Sequence, residues 1–169
     1  MKLSRRNLLK IIGLSSGLVG IATGSTLYAW WNTSPDQPFE CLNNQESAMV
    51  RSLCEAAFQG GPTIELDGAD ANLDRFFDQL LTGIPDINQQ LLKLLLHALD
   101  HSTWLSHQQS FTTLSKAQRS TILENWLQDD NHLFRSAVQS VIVLLGIGYT
   151  MHPIASKHLS QYFRCGFGL

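Results

Sequence analysis

The chain has 169 residues, with twelve Lys and Arg against fourteen Asp and Glu. Four of the basic residues (Lys2, Arg5, Arg6, Lys10) and none of the acids fall in positions 1–31, so the rest carries eight basic and fourteen acidic side chains, a net charge of −6. That balance excludes a nucleic-acid binder, which needs a basic stripe to displace counterions from phosphate, and makes an anionic membrane surface a poor main partner for the globular part.

Residues 1–31 read as an export leader. Ser4-Arg5-Arg6-Asn7-Leu8-Leu9-Lys10 has the pattern of a twin-arginine signal, in which Ser4, Arg5, Arg6, Leu8, Leu9 and Lys10 are the residues read by the translocase. The segment behind it, 11–29, has no charge and is diluted by Gly13, Gly17, Gly20 and Gly24, whereas ordinary secretory signals are more hydrophobic. Such a signal implies export of an already folded protein to the periplasm, with a cofactor or partner assembled beforehand. Ala22-Thr23-Gly24 and Leu27-Tyr28-Ala29 are weak cleavage sites. A cleaved signal is favoured over a retained inner-membrane anchor, although 11–31 is just long enough to span a bilayer, with Trp30 and Trp31 as interfacial aromatics.

Residues 32–41, with two prolines, read as a linker, and 42–169 as one helical domain. Asn43 caps the first helix of that domain and Glu46 completes a capping box. Val50, Leu53, Cys54, Ala57 and Phe58 form its apolar stripe, and Gly60-Gly61-Pro62 stops it. The loop 60–70 carries Glu65, Asp67 and Asp70 without the spacing of an EF-hand, and reads as a solvated acidic loop. A second helix starts near Ala71, with Leu73, Phe76, Phe77, Leu80 and Leu81 inward, and ends at Gly83. Pro85 opens a third, running to about Gln108, whose expected inner face is Ile87, Leu91, Leu94, Leu95, Ala98 and Leu105. Ser115 and Gln118 form a second capping box for a helix through Ile122, Leu123, Trp126 and Leu127. A fifth helix, from about His132 to Thr150, is apolar nearly all round, which predicts the central helix of the bundle. Pro153 starts a short last helix. No stretch alternates with period two, so the expected fold class is all-α: an irregular bundle of five or six helices after an N-terminal signal helix.

The chemistry-bearing residues are sparse. His97 and His101, four apart, could share a metal, but the Glu that follows the first His in a zincin is replaced by Ala98. A His packed in the core or at a partner surface is the stronger reading, with His101 on the apolar face and His97 at its edge. His107, His132, His152 and His158 are dispersed. No Gly-x-Ser-x-Gly elbow, phosphate loop, dinucleotide fingerprint or Cys-x-x-Cys-His motif occurs, so no catalytic or cofactor-binding residue is assigned. Such a domain is expected to bind rather than to catalyse. Of the three cysteines, Cys54 falls where a helix would bury it. Cys41 and Cys165 are a candidate bridge tying the two ends together in an oxidising compartment, the pairing being left open by sequence. The aromatic tail with Tyr162, Phe163, Arg164 and Phe167, together with the exposed side of the third helix, is the expected partner interface.

Three stretches carry a family resemblance. Asn44-Gln45-Glu46 to Phe58, with Leu53-Cys54-Glu55-Ala56 at its centre, Phe111-Thr112-Thr113-Leu114-Ser115-Lys116-Ala117-Gln118-Arg119, and Trp126 with the apolar helix up to Tyr149 and His152-Pro153 together resemble the small subunit (subunit 3) of gluconate 2-dehydrogenase and its relatives. These are twin-arginine-signalled helical proteins accompanying flavin-dependent dehydrogenases of the glucose-methanol-choline group. The sequence departs from the pattern at Pro62, at His152 before Pro153, and in Cys165-Gly166-Phe167-Gly168 at the C-terminus. The resemblance implies a non-catalytic subunit that binds no cofactor itself. Its partner would be an FAD-holding large subunit without its own signal, and a cytochrome c subunit carrying haem c would take the electrons where one is present. A stand-alone exported binding or anchor protein is the alternative.

Overall fold

The computed structural model describes residues 24–162, all helical in their regular structure. Seven helices follow one another: α1 (Gly24–Trp31), α2 (Asn44–Ala57), α3 (Leu73–Thr82), α4 (Asp86–Ser102), α5 (Lys116–Leu127), α6 (His132–Met151) and α7 (Pro153–Tyr162), with a single turn at Trp104–His107 and a 3-10 turn at Phe111–Thr113. The all-α expectation holds, and the six helices after α1 match the expected bundle.

Both capping boxes form. The Asn43 side chain accepts from the Glu46 amide at 2.8 Å, and the Glu46 carboxylate accepts from the Asn43 amide at 2.9 Å. At α5 the Ser115 side chain accepts from the Gln118 amide and the Gln118 side chain from the Ser115 amide. These boxes satisfy backbone donors that a helix start leaves open. Gly83 closes α3, as expected, and α4 begins one residue after Pro85.

The bundle is organised around α2, which packs against α3, α4, α5 and α6 and against the 3-10 turn. Its inward residues are mixed: Met49, Val50, Leu53, Cys54 and Ala56, but also Glu46, Ser47 and Ser52. Small side chains let neighbouring helices approach closely on several sides. The predicted centre, α6, is instead peripheral. Val138, Val141, Leu145 and Tyr149 face α3 and α5, while Val143, Ile147 and Met151 are exposed. Its apolar circumference is broader than the one side its neighbours cover.

The third predicted helix is also shorter than expected. It ends at Ser102, because the buried Thr103 hydroxyl donates to the Gln109 carbonyl at 2.6 Å and folds 104–109 back, with Gln108 left-handed at φ 53°. Leu105 therefore sits on a separate turn and is 74% exposed, and Ile87 in the first turn of α4 is also exposed.

Trp126 stands between Phe111, stacked at 4.9 Å, and Phe134, edge-on at 6.1 Å. Phe58 stacks on Tyr149 at 4.7 Å, and the Tyr149 hydroxyl donates to the Leu66 carbonyl at 2.7 Å. Burial, with the nearby Asp67 charge, pushes the Tyr149 phenol up. The acidic loop is thereby pinned to α6, and Lys116 of α5 pairs with Asp67. Burial opposes the charge on Asp67, but Lys116 and backbone amides outweigh it and hold that carboxyl below its usual range.

The tightest approach in this loop is backbone to backbone. A Cβ on Gly68 would stand 2.1 Å from the Cys54 carbonyl oxygen. Gly68→Ala is therefore expected to displace the loop from the end of α2 and cost about 2–3 kcal/mol, at the upper end of overpacking effects. Urea unfolding of the purified variant measures this; an unchanged midpoint would refute the close approach.

Candidate functional site

The most constrained group of functional side chains lies where 24–42 docks on α2 and α4. Glu46 reaches inward from the first turn of α2, with its side chain fully buried. Lys93 and His97 lie one turn apart on α4 and face it. One carboxylate oxygen, Oε1, accepts from the Thr33 hydroxyl at 2.8 Å and from His97 Nε2 at 3.1 Å. Because the carboxylate can only accept, Nε2 of His97 carries the hydrogen in this contact. The other oxygen, Oε2, faces the Asn43 amide and, at 3.4 Å, Lys93 Nζ. Lys93 also donates to the Cys41 carbonyl at 2.8 Å and the Thr33 carbonyl at 3.2 Å.

Burial opposes the charge on Glu46. The His97 hydrogen bond, the Asn43 amide, Lys93 and Thr33 together outweigh it and hold the carboxyl below its usual range.

Trp30 of α1 covers this node, its ring stacked on His97 at 5.6 Å with an 8° interplanar angle and tilted on His101 at 5.0 Å. His101 Nδ1 contacts the His97 carbonyl at 3.0 Å. The expected placement of the two histidines is reversed: His97 is buried and His101 is partly exposed. The buried side of α4 carries Lys93, His97 and Asp100 beside Leu94, Leu96 and Leu99; of the expected inner face Leu94 is buried, Leu91, Leu95 and Ala98 are half-buried, and Ile87 and Leu105 are exposed. The weak metal candidates His97 and His101 are thus brought together, but each uses a ring nitrogen inside the chain. Among the described residues no group of three or more His, Cys, Asp and Glu is placed to hold a metal.

A second anchor lies beside the node. Asp78 of α3, 6% exposed, accepts three consecutive backbone amides: Glu40 on Oδ2 at 2.9 Å, and Cys41 and Leu42 on Oδ1 at 2.8 Å each. Sequence reading missed Asp78 and Lys93 because both partner residues far along the chain.

Cys41 is half-buried, its Sγ 3.8 Å from Gln89 Oε1; burial, then the charge of Asp78, pushes its thiol up. Cys54 is buried as expected, and burial raises its thiol strongly. Cys165 lies outside the described residues, as do Ser4, Arg5, Arg6, Leu8, Leu9 and Lys10 of the leader and Phe163, Arg164 and Phe167 of the tail. Tyr162 ends α7, and its side chain is likewise outside the description. Shallow grooves flank Phe39 beside Arg51 and Arg75.

Within the node Thr33, Glu46, Lys93 and His97 are all matched by partners inside the chain. Such an arrangement holds a chain segment in place.

Comparison with curated proteins and with solved structures gives no match. A family model described as gluconate 2-dehydrogenase subunit 3 matches residues 44–168, from the first residue of α2 through α7 and beyond. On that match over most of its length, the chain belongs to the gluconate 2-dehydrogenase subunit 3 family.

Proposed function

We propose that this chain is the non-catalytic small subunit of a periplasmic, membrane-associated, FAD-dependent dehydrogenase acting on a sugar, sugar acid or alcohol. It escorts the folded flavoprotein subunit through the twin-arginine pathway and stabilises it. The observation that carries the reading is the Ser4-Arg5-Arg6-Asn7-Leu8-Leu9-Lys10 pattern at the start of a chain whose family is a dehydrogenase subunit. FAD belongs to the partner, and haem c to a cytochrome subunit where one is present. The docking of Trp30 and Thr33 on His97 and Glu46 supports the role: the folded domain holds the end of the leader segment and the start of the linker.

The experiment is fractionation of cells expressing both subunits with Arg5 and Arg6 changed to Lys. Both this chain and the flavoprotein are expected to stay in the cytoplasm, and dehydrogenase activity to disappear from the periplasmic side. A flavoprotein that still reaches the periplasm would end the escort reading.

A further inference from the structure

α6 is the longest helix among the described residues, and none of those residues covers one side of it. Ser136, Ser140, Val143, Ile147 and Met151 recur at three- and four-residue spacing along that side, and Ile154 follows in the first turn of α7. Val143, Ile147, Met151 and Ile154 are 61, 49, 67 and 52% exposed. The helix is long and apolar enough to cross a membrane by length and composition, with only a minority of it buried.

Together the four side chains present on the order of 400 Å² of apolar surface, roughly half of what each partner gives to a standard protein interface. The largest apolar patch on a monomer is commonly of this size and is often functional. The charge pattern argues against an anionic lipid surface as the occupant. All fourteen acids lie between Asp36 and Asp130, and residues 131–169 hold none. Within α6 and α7 the basic side chains are Arg135, tied to the Asp129 carbonyl at 2.7 Å, and Lys157. Membrane-surface helices carry clusters of Lys and Arg along a polar face, and two in thirty residues do not make one. Small side chains in one half of the stripe and large apolar ones in the other suit close packing against another helix or an apolar groove.

We propose that the α6 stripe, continued by Ile154, is the surface that seats the flavoprotein subunit, in an apolar groove with a carboxylate rim opposite Lys157. This rests on the accessory-subunit reading above. The expected interface of C-terminal tail and exposed side of the third helix is then revised: the tail extends this surface, and the exposed side of α4 lies outside it.

The test uses the tagged full chain co-expressed with its flavoprotein, recognised by flavin absorbance. A photo-cross-linking residue is placed at Ile147, with Asp86 at the start of α4 as the control position, and a second sample carries Ile147→Glu with Met151→Glu. Both substitutions are at exposed positions, so far-UV circular dichroism and the thermal midpoint are expected to stay unchanged. The cross-link should join position 147, and not 86, to the flavoprotein, and the double variant should lose flavin co-purification at least about tenfold. If the flavoprotein co-purifies but position 147 does not reach it and the double variant retains it, the surface is wrong and the accessory role stands. Cross-links only within the chain or to a second copy overturn it in the same way. So does a double variant that keeps the flavoprotein but no longer sediments with phosphatidylethanolamine–phosphatidylglycerol vesicles, which would assign the stripe to lipid. Absence of any flavoprotein from the wild-type preparation would overturn both readings.

Discussion

Changing Glu46 to Gln is expected to remove roughly 3 kcal/mol of stability, within the range for breaking one side of a buried ion pair. The substitution keeps the volume and changes only charge and one acceptor. Oε1 serves Thr33 and His97, and Oε2 serves the Asn43 amide and Lys93. A glutamine oxygen can replace one of these pairs. Its amino group then points two hydrogens at the other pair, both of them donors. If the nitrogen takes the Oε2 side, Lys93 keeps two carbonyls but loses its counter-ion while remaining almost fully buried. Urea unfolding should show a lowered midpoint, and Lys93→Met in the Glu46→Gln background should recover part of the loss, because the stranded charge is gone. The pH dependence has a defined sign. The folded carboxyl sits below 4.5, so its contribution is complete above pH 4.5 and is lost as the pH falls through the lower folded value. The wild type should therefore lose stability on acidification below 4.5 more steeply than the Gln variant. Parallel curves would mean that Glu46 is not the ionised centre of the node.

The capping role of Glu46 is legible in the sequence and its larger role is not, and the difference is one of range. A capping box is closed within four residues, so Asn43 with Glu46 and Ser115 with Gln118 declare themselves by spacing. The node joins Glu46 to residues 13 and 51 positions away, and no local pattern encodes that. On α4 the line Lys93, His97, Asp100 has helical spacing but reads as a solvent face on any hydropathy scale. It is buried because each polar group finds a specific partner: Lys93 and His97 at Glu46, Asp100 at Gln45 and at the Thr112 amide and hydroxyl. The same limitation inverts the roles of α2 and α6. Hydropathy measures the preference for leaving water, not position in a bundle. Ser47, Ser52 and Ala56 give α2 the slim profile of a helix with neighbours on several sides. Val143, Ile147 and Met151 leave α6 apolar where no neighbour within the described residues covers it. A chain built as a subunit can keep such a face, because its burial belongs to the assembly.

Asp78→Ala is expected to be comparably destabilising, but local in its first consequence. Three successive amides, those of Glu40, Cys41 and Leu42, converge on one carboxylate at 2.8–2.9 Å. Alanine leaves all three without an acceptor at the edge of the core, where Leu42 is fully buried. Each stranded buried donor costs about 1–3 kcal/mol, and entry of water to the outer two reduces the total to roughly 3 kcal/mol. Asp78→Asn separates the contributions. Its oxygen can still serve Cys41 and Leu42, while its amino group must face the Glu40 amide, donor against donor, so the cost should fall to about half that of alanine. The first event is release of 32–42 from the groove between α3 and α4. Limited proteolysis should therefore cut the Asp78→Ala protein within that segment, under conditions in which the wild type is resistant and the α2–α6 body remains intact. Because Trp30 and Thr33 dock shortly before this anchor, the variant also loosens the hold of the folded body on the segment that joins it to the leader. Export of the flavoprotein should fall with it, even though Arg5 and Arg6 are untouched. Unimpaired export alongside a proteolytically open linker would show that the escort needs only the signal and the docking surface, and that the grip on 24–42 serves stability alone.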